Sequence, residues 1–442
     1  MEEDGYILIS REDDASCSGN HNSNQAKDCP PYLSDIDNFI ESLDDSLWTL
    51  NKFIHANPEL AFHEYKAHEA LTNFLRSRQE GWQVTPSAYG METAWVAVYE
   101  SGERGPVVSF NVEMDALPNL GHACGHNLIA TASMAAGLAT VETMRRHKLP
   151  GKVLLFGTPG EEGYGGGKIR LLNRGAYEGV DISLISHPGI LHNSPLVRTT
   201  TFARLEAEYF GRSAHGAKNP WMGINALDAL VIAYNAVSAL RQQTMPGDVI
   251  GLAITNGGEE ATNIIHAYAA CVCMIHATTT SRLKDLQDKV SACFRAGAEA
   301  TGATIKTKVT PGYQDHVPNR VLAASYTTYW NQLPDLPDPP IPPTCGDQQF
   351  TWVKSSTDQG NISYAMPSVN ASFAIPPGPQ GGQPHSPDFE MASGTKWAFL
   401  RALRVGKALA GIAVDVLTRP GLLDEVKKQW RRDMETINEQ PQ

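Results

Sequence analysis

The sequence predicts an α/β protein: a mostly parallel sheet with helices on both faces, carrying a smaller inserted ferredoxin-like α+β unit. Three observations predict it. Apolar, β-branched runs at 107–110, 152–156 and 181–186 alternate with helical stretches, as buried parallel strands alternate with crossover helices. From 197 to 312 the order becomes strand, helix, strand, strand, helix, strand, which is that of a ferredoxin-like module. The first pattern then resumes near 368–374, which makes the middle segment an insertion.

Taken in order, residues 1–30 are polar and acidic and read as a flexible tail. From Tyr32, a single stripe of Ile36, Phe39, Ile40, Leu43, Leu47 and Leu50 predicts a helix that Asn57-Pro58 breaks. A second helix is expected over 64–78, and strands within 82–99. The strand at 107–110 leads through a polar stretch into an Ala-, Met- and Leu-rich helix over 128–147. A strand at 152–156, a glycine-rich turn, a helix over 168–177 and a buried strand at 181–186 complete the first part of the main unit, 31–196. The insertion, 197–312, holds strands at 199–210, 249–255, 269–276 and 303–309, with helices over 225–243 and 281–301. The second part, 313–442, contains a proline-rich surface loop at 333–343 with Cys345 and Trp352 beyond it. It returns to the sheet at 368–374 and closes with a helix over 397–417, which Pro420 separates from a charged final helix.

Composition narrows the function. A formal net charge of −12 over 442 residues argues against nucleic acid or an anionic membrane as partner. No apolar run is long enough to span a bilayer, and Met1-Glu-Glu-Asp-Gly5 lacks the basic and apolar regions of a signal peptide, so a cytoplasmic location is expected. Seven cysteines without a Cys-x-x-Cys pair argue against a disulfide framework.

Chemistry concentrates in the stretch from Asn111 to Asn127, between a strand and a helix, where open α/β sheets place their active sites. Cys124 and His126, two apart in a turn, can converge on one cation, although a buried thiol and a capping imidazole would read the same way. Thr158-Pro-Gly-Glu-Glu162 sets adjacent carboxylates at the next strand end, one able to bind metal and one to move a proton; alone, it equally describes an acidic turn. The following Gly163-Tyr-Gly-Gly-Gly-Lys168 is no phosphate loop, because the first glycine of that pattern falls at Glu162 and Ile169 replaces the hydroxyl that holds magnesium. His187 ends the next strand, and His385 lies in the turn Gln383-Pro-His-Ser-Pro387. Cys124, His126, Glu162, His187 and His385 at one sheet edge would suit two borderline cations sharing a bridging thiolate. Water between such cations is acidified to a pKa of roughly 7.

These motifs resemble the aminoacylase and glutamate-carboxypeptidase family of dinuclear metallopeptidases (peptidase family M-twenty). Within it, the chain is similar to the amidohydrolase branch of auxin-conjugate, hippurate and aminobenzoyl-glutamate hydrolases, and most of all to the β-alanyl-lysine (Xaa-Arg/Lys) dipeptidase type. The resemblance rests on Glu113-x-Asp-Ala-Leu-Pro118 with Gly121-His-Ala-Cys-Gly-His-Asn-Leu-Ile129, and on Asn57-Pro-Glu-Leu60 with Glu64. It continues through Thr158-Pro-x-Glu-Glu162, His187-Pro188, Gly211-Arg-Ser-Ala-His215, Gly223-x-Asn-Ala226, Asn263-Ile-Ile265 and Ser356-Thr-Asp-x-Gly-Asn361. It implies a zinc-exopeptidase-like catalytic unit with a lid and dimerisation insertion, and a homodimer acting on a small-molecule N-acyl amino acid or dipeptide.

By the same resemblance, Cys124, His126, Glu162, His187 and His385 hold two divalent metal ions, zinc before manganese or cobalt. The amide is then cleaved by a metal-bound hydroxide. Glu161 is the implied general base, and Asp115 orients a ligating imidazole. His215 stabilises the oxyanion in a partner subunit's site. Asn263 binds substrate, and Asp358 and Asn361 shape the pocket unless they only form a turn. The chain departs from the family at His276, which stands where many relatives carry an arginine for a substrate carboxylate, a bidentate contact that imidazole cannot make. That departure motivates an amide-forming or acyl-transfer enzyme as one alternative; a non-catalytic metal-binding regulator is another, against which the full ligand set and Glu161 argue.

Overall fold

The computed structural model describes residues 29–439 apart from 79, 164, 335–337 and 344–349, so the expected tail to residue 28 and Cys345 lie outside the described residues. The first helical stripe forms two helices rather than one, α1 (Leu33–Ser42) and α2 (Asp44–Ala56). The break falls at Leu43, where Asp44 and Asp45 supply the negative charge that favours a new helix N-terminus. After α3 (Tyr65–Ser77) come β1 (Gln83–Pro86), β2 (Trp95–Glu100) and β3 (Val107–Glu113), then α4 (His126–His147) and β4 (Lys152–Thr158). The helix α5 (Gly167–Asn173) is shorter than expected; Gly175, at φ 76°, follows its end, and β5 (Ile182–Gly189) comes next.

β6 (Val197–Thr199) and β7 (Thr201–Phe210) replace the single strand expected at 199–210. Then follow α6 (Ala226–Ala239), β8 (Val249–Asn256), β9 (Tyr268–Ala277), α7 (Thr280–Thr301) and β10 (Thr304–Pro311). The remaining elements are α8 (Arg320–Gln332), β11 (Thr351–Val353), α9 (Gln359–Ala365), β12 (Ser368–Ala374), α10 (Pro387–Ser393), α11 (Lys396–Thr418) and α12 (Leu422–Glu439).

The main sheet has the order β1-β2-β4-β3-β5-β12; its last four strands run parallel and β1 and β2 form an antiparallel edge. Side chains alternate across it. Val108, Phe110, Val112, Val153 and Leu155 enter a core with α1, α2, α4, α8 and α11. Leu154 and Phe156 enter a second one with Leu171 of α5 and Ile362 of α9. Asn111 and Glu113 share that second side. The four-stranded antiparallel sheet, β10-β7-β9-β8, packs Leu205, Tyr209 and Ile275 against Leu230 of α6 and Phe294 of α7, forming a separate core with the ferredoxin-like order. No helix among the described residues is long and apolar enough to cross a membrane.

Candidate metal centre

The carboxyl ends of β3, β4, β5 and β12 deliver the polar side chains to one edge. Asp115 follows β3. Cys124 and His126 bracket Gly125, whose φ of 78° starts α4. A Cβ at Gly125 would stand 2.5 Å from Pro188 Cγ, so only glycine lets this turn approach the end of β5. Beyond β4, the Glu161-Glu162 loop curls tightly, because a Cβ at Gly167 would lie 1.6 Å from the Pro159 carbonyl oxygen. The Tyr313 hydroxyl donates to the Glu161 carbonyl and accepts the Gly166 N–H at 3.1 Å. His385, itself at φ 70°, donates its backbone N–H to Ala123 O at 2.8 Å, which ties the last turn to the first.

Cys124 Sγ lies 3.3 Å from His187 Nε2, while His187 Nδ1 is 2.9 Å from the Pro188 carbonyl; an Nδ1–H donated to that carbonyl leaves the Nε2 lone pair facing the sulfur. Asp115 Oδ1 stands 3.2 Å from His126 Nδ1, and its other oxygen accepts the Glu162 N–H at 2.8 Å. His126 Nε2 is thereby turned inward, buried and without a hydrogen-bond partner. It lies 4.0 Å from both Glu161 Oε2 and Glu162 Oε1; Glu162 Oε1 is 3.2 Å from His385 Nε2. Cys124 belongs to two close sets of donor atoms, one with His126 and His187 and one with Glu162 and His385.

These donors fit cations. Two ligands of one tetrahedral ion, at about 2.0–2.3 Å from it, stand roughly 3.3–3.8 Å apart, and the sulfur–nitrogen separation of 3.3 Å matches that span. Electrostatics agree. Burial, with Glu162 beside it, pushes the Cys124 thiol far up, which a neighbouring cation would reverse. Burial also raises Glu161, and the carboxylates of Glu113, Glu162 and Asp358 push it further. Burial would lift Glu162 too, but the His385 and His126 rings outweigh it and hold this carboxyl below its ordinary range.

The donors and Glu161, except His126, line a cleft of about 500 Å³ together with Ile190, Leu191, Trp352, Val353 and Lys354. Other expected residues stand elsewhere. His215 and Asn263 are exposed and joined through the backbone, Gly216 N donating to Asn263 O at 2.7 Å, and neither lines the cleft. The half-buried His276 packs its ring on Phe202, centroids 5.6 Å apart, away from the cleft lining. Asp358 is buried and does not line the cleft: it accepts the Lys168 N–H at 2.8 Å and pairs with Lys168 Nζ. Asn361 likewise bonds Gln314, accepting its N–H at 3.1 Å.

Sequence reasoning gives no role to three groups that shape this edge. Lys168 reads only as the end of a failed phosphate loop, yet it is fully buried and donates to Glu113 at 2.6 Å. Glu64 binds Gly160 N, just before Glu161, at 2.8 Å, and Tyr313 holds Glu161 itself. A lysine closing a glycine run and the acid opening Glu113-x-Asp-Ala-Leu-Pro118 are the signals that could have found the Lys168–Glu113 pair.

The chain is similar to known proteins over most of its length. It is 36% identical over 403 residues to the Xaa-Arg dipeptidase of Mus musculus, covering 89% of this chain and 90% of that one. It is 29% identical over 306 residues to one of the subunits of a p-aminobenzoyl-glutamate hydrolase from Escherichia coli (strain K12), covering 65% and 62% respectively. A solved dinuclear metal-binding peptidase of the M20 family from Bacillus subtilis shares the fold, with a TM-score of 0.62 at 17% identity, covering 85% of this chain and 99% of that one. The model of the peptidase family M20/M25/M40 matches residues 109–393, a span that encloses every donor from Cys124 to His385, and the chain belongs to that family.

Proposed function

We propose that this chain is a two-metal amidohydrolase that cleaves the amide bond of an N-acyl amino acid or dipeptide. The observation that supports it most is Cys124 shared between two donor sets, with the Glu161 carboxylate beside them. Cys124, His126, Glu162, His187 and His385 would hold two divalent cations, zinc by the mixed sulfur, nitrogen and oxygen donors, with manganese or cobalt able to use the same set. Bound there, the cations would polarise the scissile carbonyl and acidify a water. Glu161, whose proton affinity is already high, takes the proton from the attacking water and delivers it to the leaving amine. Asp115 fixes two donors at once, the His126 ring and the Glu162 backbone.

Within the same proposal, the chain pairs through its insertion, taken as 197–312, so that His215 and Asn263 serve a partner's cleft. Their exposure outside their own cleft supports this. So do the edge of β8, unpaired among the described residues, and apolar side chains left in solvent at Trp221, Met222, Ile232 and Ile254. The proposed location remains cytoplasmic.

The substrate follows from the cleft wall. Beyond Glu161 and Glu162 no carboxylate lines it among the described residues, while Lys354 does. A neutral or acidic substrate group therefore suits this chain's own wall better than a basic one, although a similar protein carries the name Xaa-Arg dipeptidase. Two measurements test the reading. Glu161→Gln is expected to keep its metal and lose about 10²–10⁴-fold in kcat; undiminished turnover would remove the base. A panel of N-acyl amino acids and dipeptides is expected to favour neutral and acidic members; a clear preference for arginine or lysine would discard the selectivity assigned to the wall. Condensed product forming in the presence of excess amine would favour the amide-forming alternative.

A further inference from the structure

Lys168, in the first turn of α5, has a fully buried side chain. Its Nζ donates to Glu113 Oε1 at 2.6 Å and pairs with Asp358 Oδ1, and its backbone N–H binds Asp358 Oδ2 at 2.8 Å. Both carboxylates are buried as well. Three apolar side chains of similar volume would fill this space at less cost than three desolvated charges, so packing alone does not account for them.

The second oxygen of Glu113 points to the reason. Glu113 Oε2 is buried without a hydrogen bond and stands 3.4 Å from His126 Nε2, the inward nitrogen of the donor set. Oxygens of Glu113, Glu161 and Asp358 lie within 4.8 Å of one another. Two carboxylates that belong to neither of the Cys124 donor sets thus sit directly behind the base, and among the described residues only Lys168 donates to the side chain of Glu113. We propose that Lys168 is a positioning residue: by holding Glu113 and Asp358 it keeps a competing carboxylate out of the metal centre and leaves Glu161 in place to move the proton. This inference rests on the two-metal reading above.

Lys168→Met alone strands buried negative charge, so the test compares two charge-compensated variants. Lys168→Met with Asp358→Asn frees Glu113. Lys168→Met with Glu113→Gln removes Glu113 and leaves Asp358 on the residue 168 backbone N–H. Fold, metal content, the visible spectrum of the cobalt-loaded proteins, kcat and KM are measured for each and for the wild type. The first variant is expected to show an altered cobalt spectrum and a kcat lowered on the order of a hundredfold with KM little changed, the effect of small misplacements at a reacting centre. The second is expected to return both spectrum and kcat toward wild type. Equal behaviour of the two variants, whether both active, both inactive or both unfolded, overturns the proposal. A wild type that cleaves none of the amides would defeat the proposed function while the cobalt spectra still decide Lys168; a wild type that binds no cobalt removes both.

Discussion

Replacing Glu64 with glutamine should stabilise the protein, increasingly so as pH rises. The Glu64 side chain is fully buried, and its Oε1 accepts the N–H groups of Phe62 and Gly160, each at 2.8 Å, while Oε2 accepts the Thr93 hydroxyl at 2.6 Å. Burial, and then the negative charge of Asp115, push its pKa from the ordinary 4.5 up to about 7, against the hydrogen bonds that lower it. The folded carboxyl therefore holds its proton more tightly than the unfolded one. Its contribution to stability is present in full below pH 4.5, is lost as pH rises, and is gone above about pH 7. A rise from 4.5 to about 7, at about 1.4 kcal/mol for each tenfold change in proton affinity, amounts to about 3 kcal/mol. Glutamine keeps the geometry, since its carbonyl can accept both backbone N–H groups and its amide can donate to Thr93 Oγ1. Urea denaturation of chelated wild type and Glu64→Gln should give nearly equal stabilities at pH 4.5 and a gap of about 3 kcal/mol in favour of glutamine at pH 8. A gap that does not change with pH, or a variant less stable at pH 8, would show that the hydrogen bonds to the ionised carboxylate outweigh its desolvation.

Three other outcomes are expected. Gly125→Ala combines a positive φ with a clash on Pro188 and should cost about 1–3 kcal/mol in a thermal or urea melt and weaken metal retention, seen by mass spectrometry after dialysis. Adding zinc to the chelated protein at pH 7 in weak buffer should release at least one proton, because burial holds the Cys124 thiol protonated without a cation; no release would place the metal elsewhere. Ile254→Lys on the exposed edge of β8 should shift the protein to a smaller species in light scattering and lower turnover together with it, whereas turnover kept by a monomer would free His215 from a partner role.

What can be read in advance is what short-range pattern encodes. The 22-residue α4, the continuous apolar runs of β3 and β4, and the ferredoxin-like order from β7 to β10 all follow from local pattern. The helix α8 escapes such a reading, although its buried Tyr326, Tyr329 and Trp330 complete the main core, because aromatic and β-branched residues do not advertise a helix until α11 covers them. The candidate cluster is legible because Cys124, His126, Glu161 and Glu162 sit in short motifs at strand ends. Lys168, Glu113 and Asp358 are not, since their pairing joins positions 55 and 190 residues apart and only the second side of the sheet brings them together. The surroundings of Asp358 and Asn361 are illegible for the same reason: a turn-like stretch says nothing about which side of a strand layer it will back onto.

The backbone bond from His385 to Ala123 has a consequence for synthesis. The first donor emerges from the ribosome 261 residues before the last, with the whole ferredoxin-like sheet between them. A growing chain can shape most of the proposed cradle early, yet it cannot close around a second cation until His385 has been made. With Cys124, His126, Glu162, His187 and His385 as the proposed ligands, hydrolytic competence would be withheld from any product that stops short of His385, and full metal uptake would report that the last donor is in place.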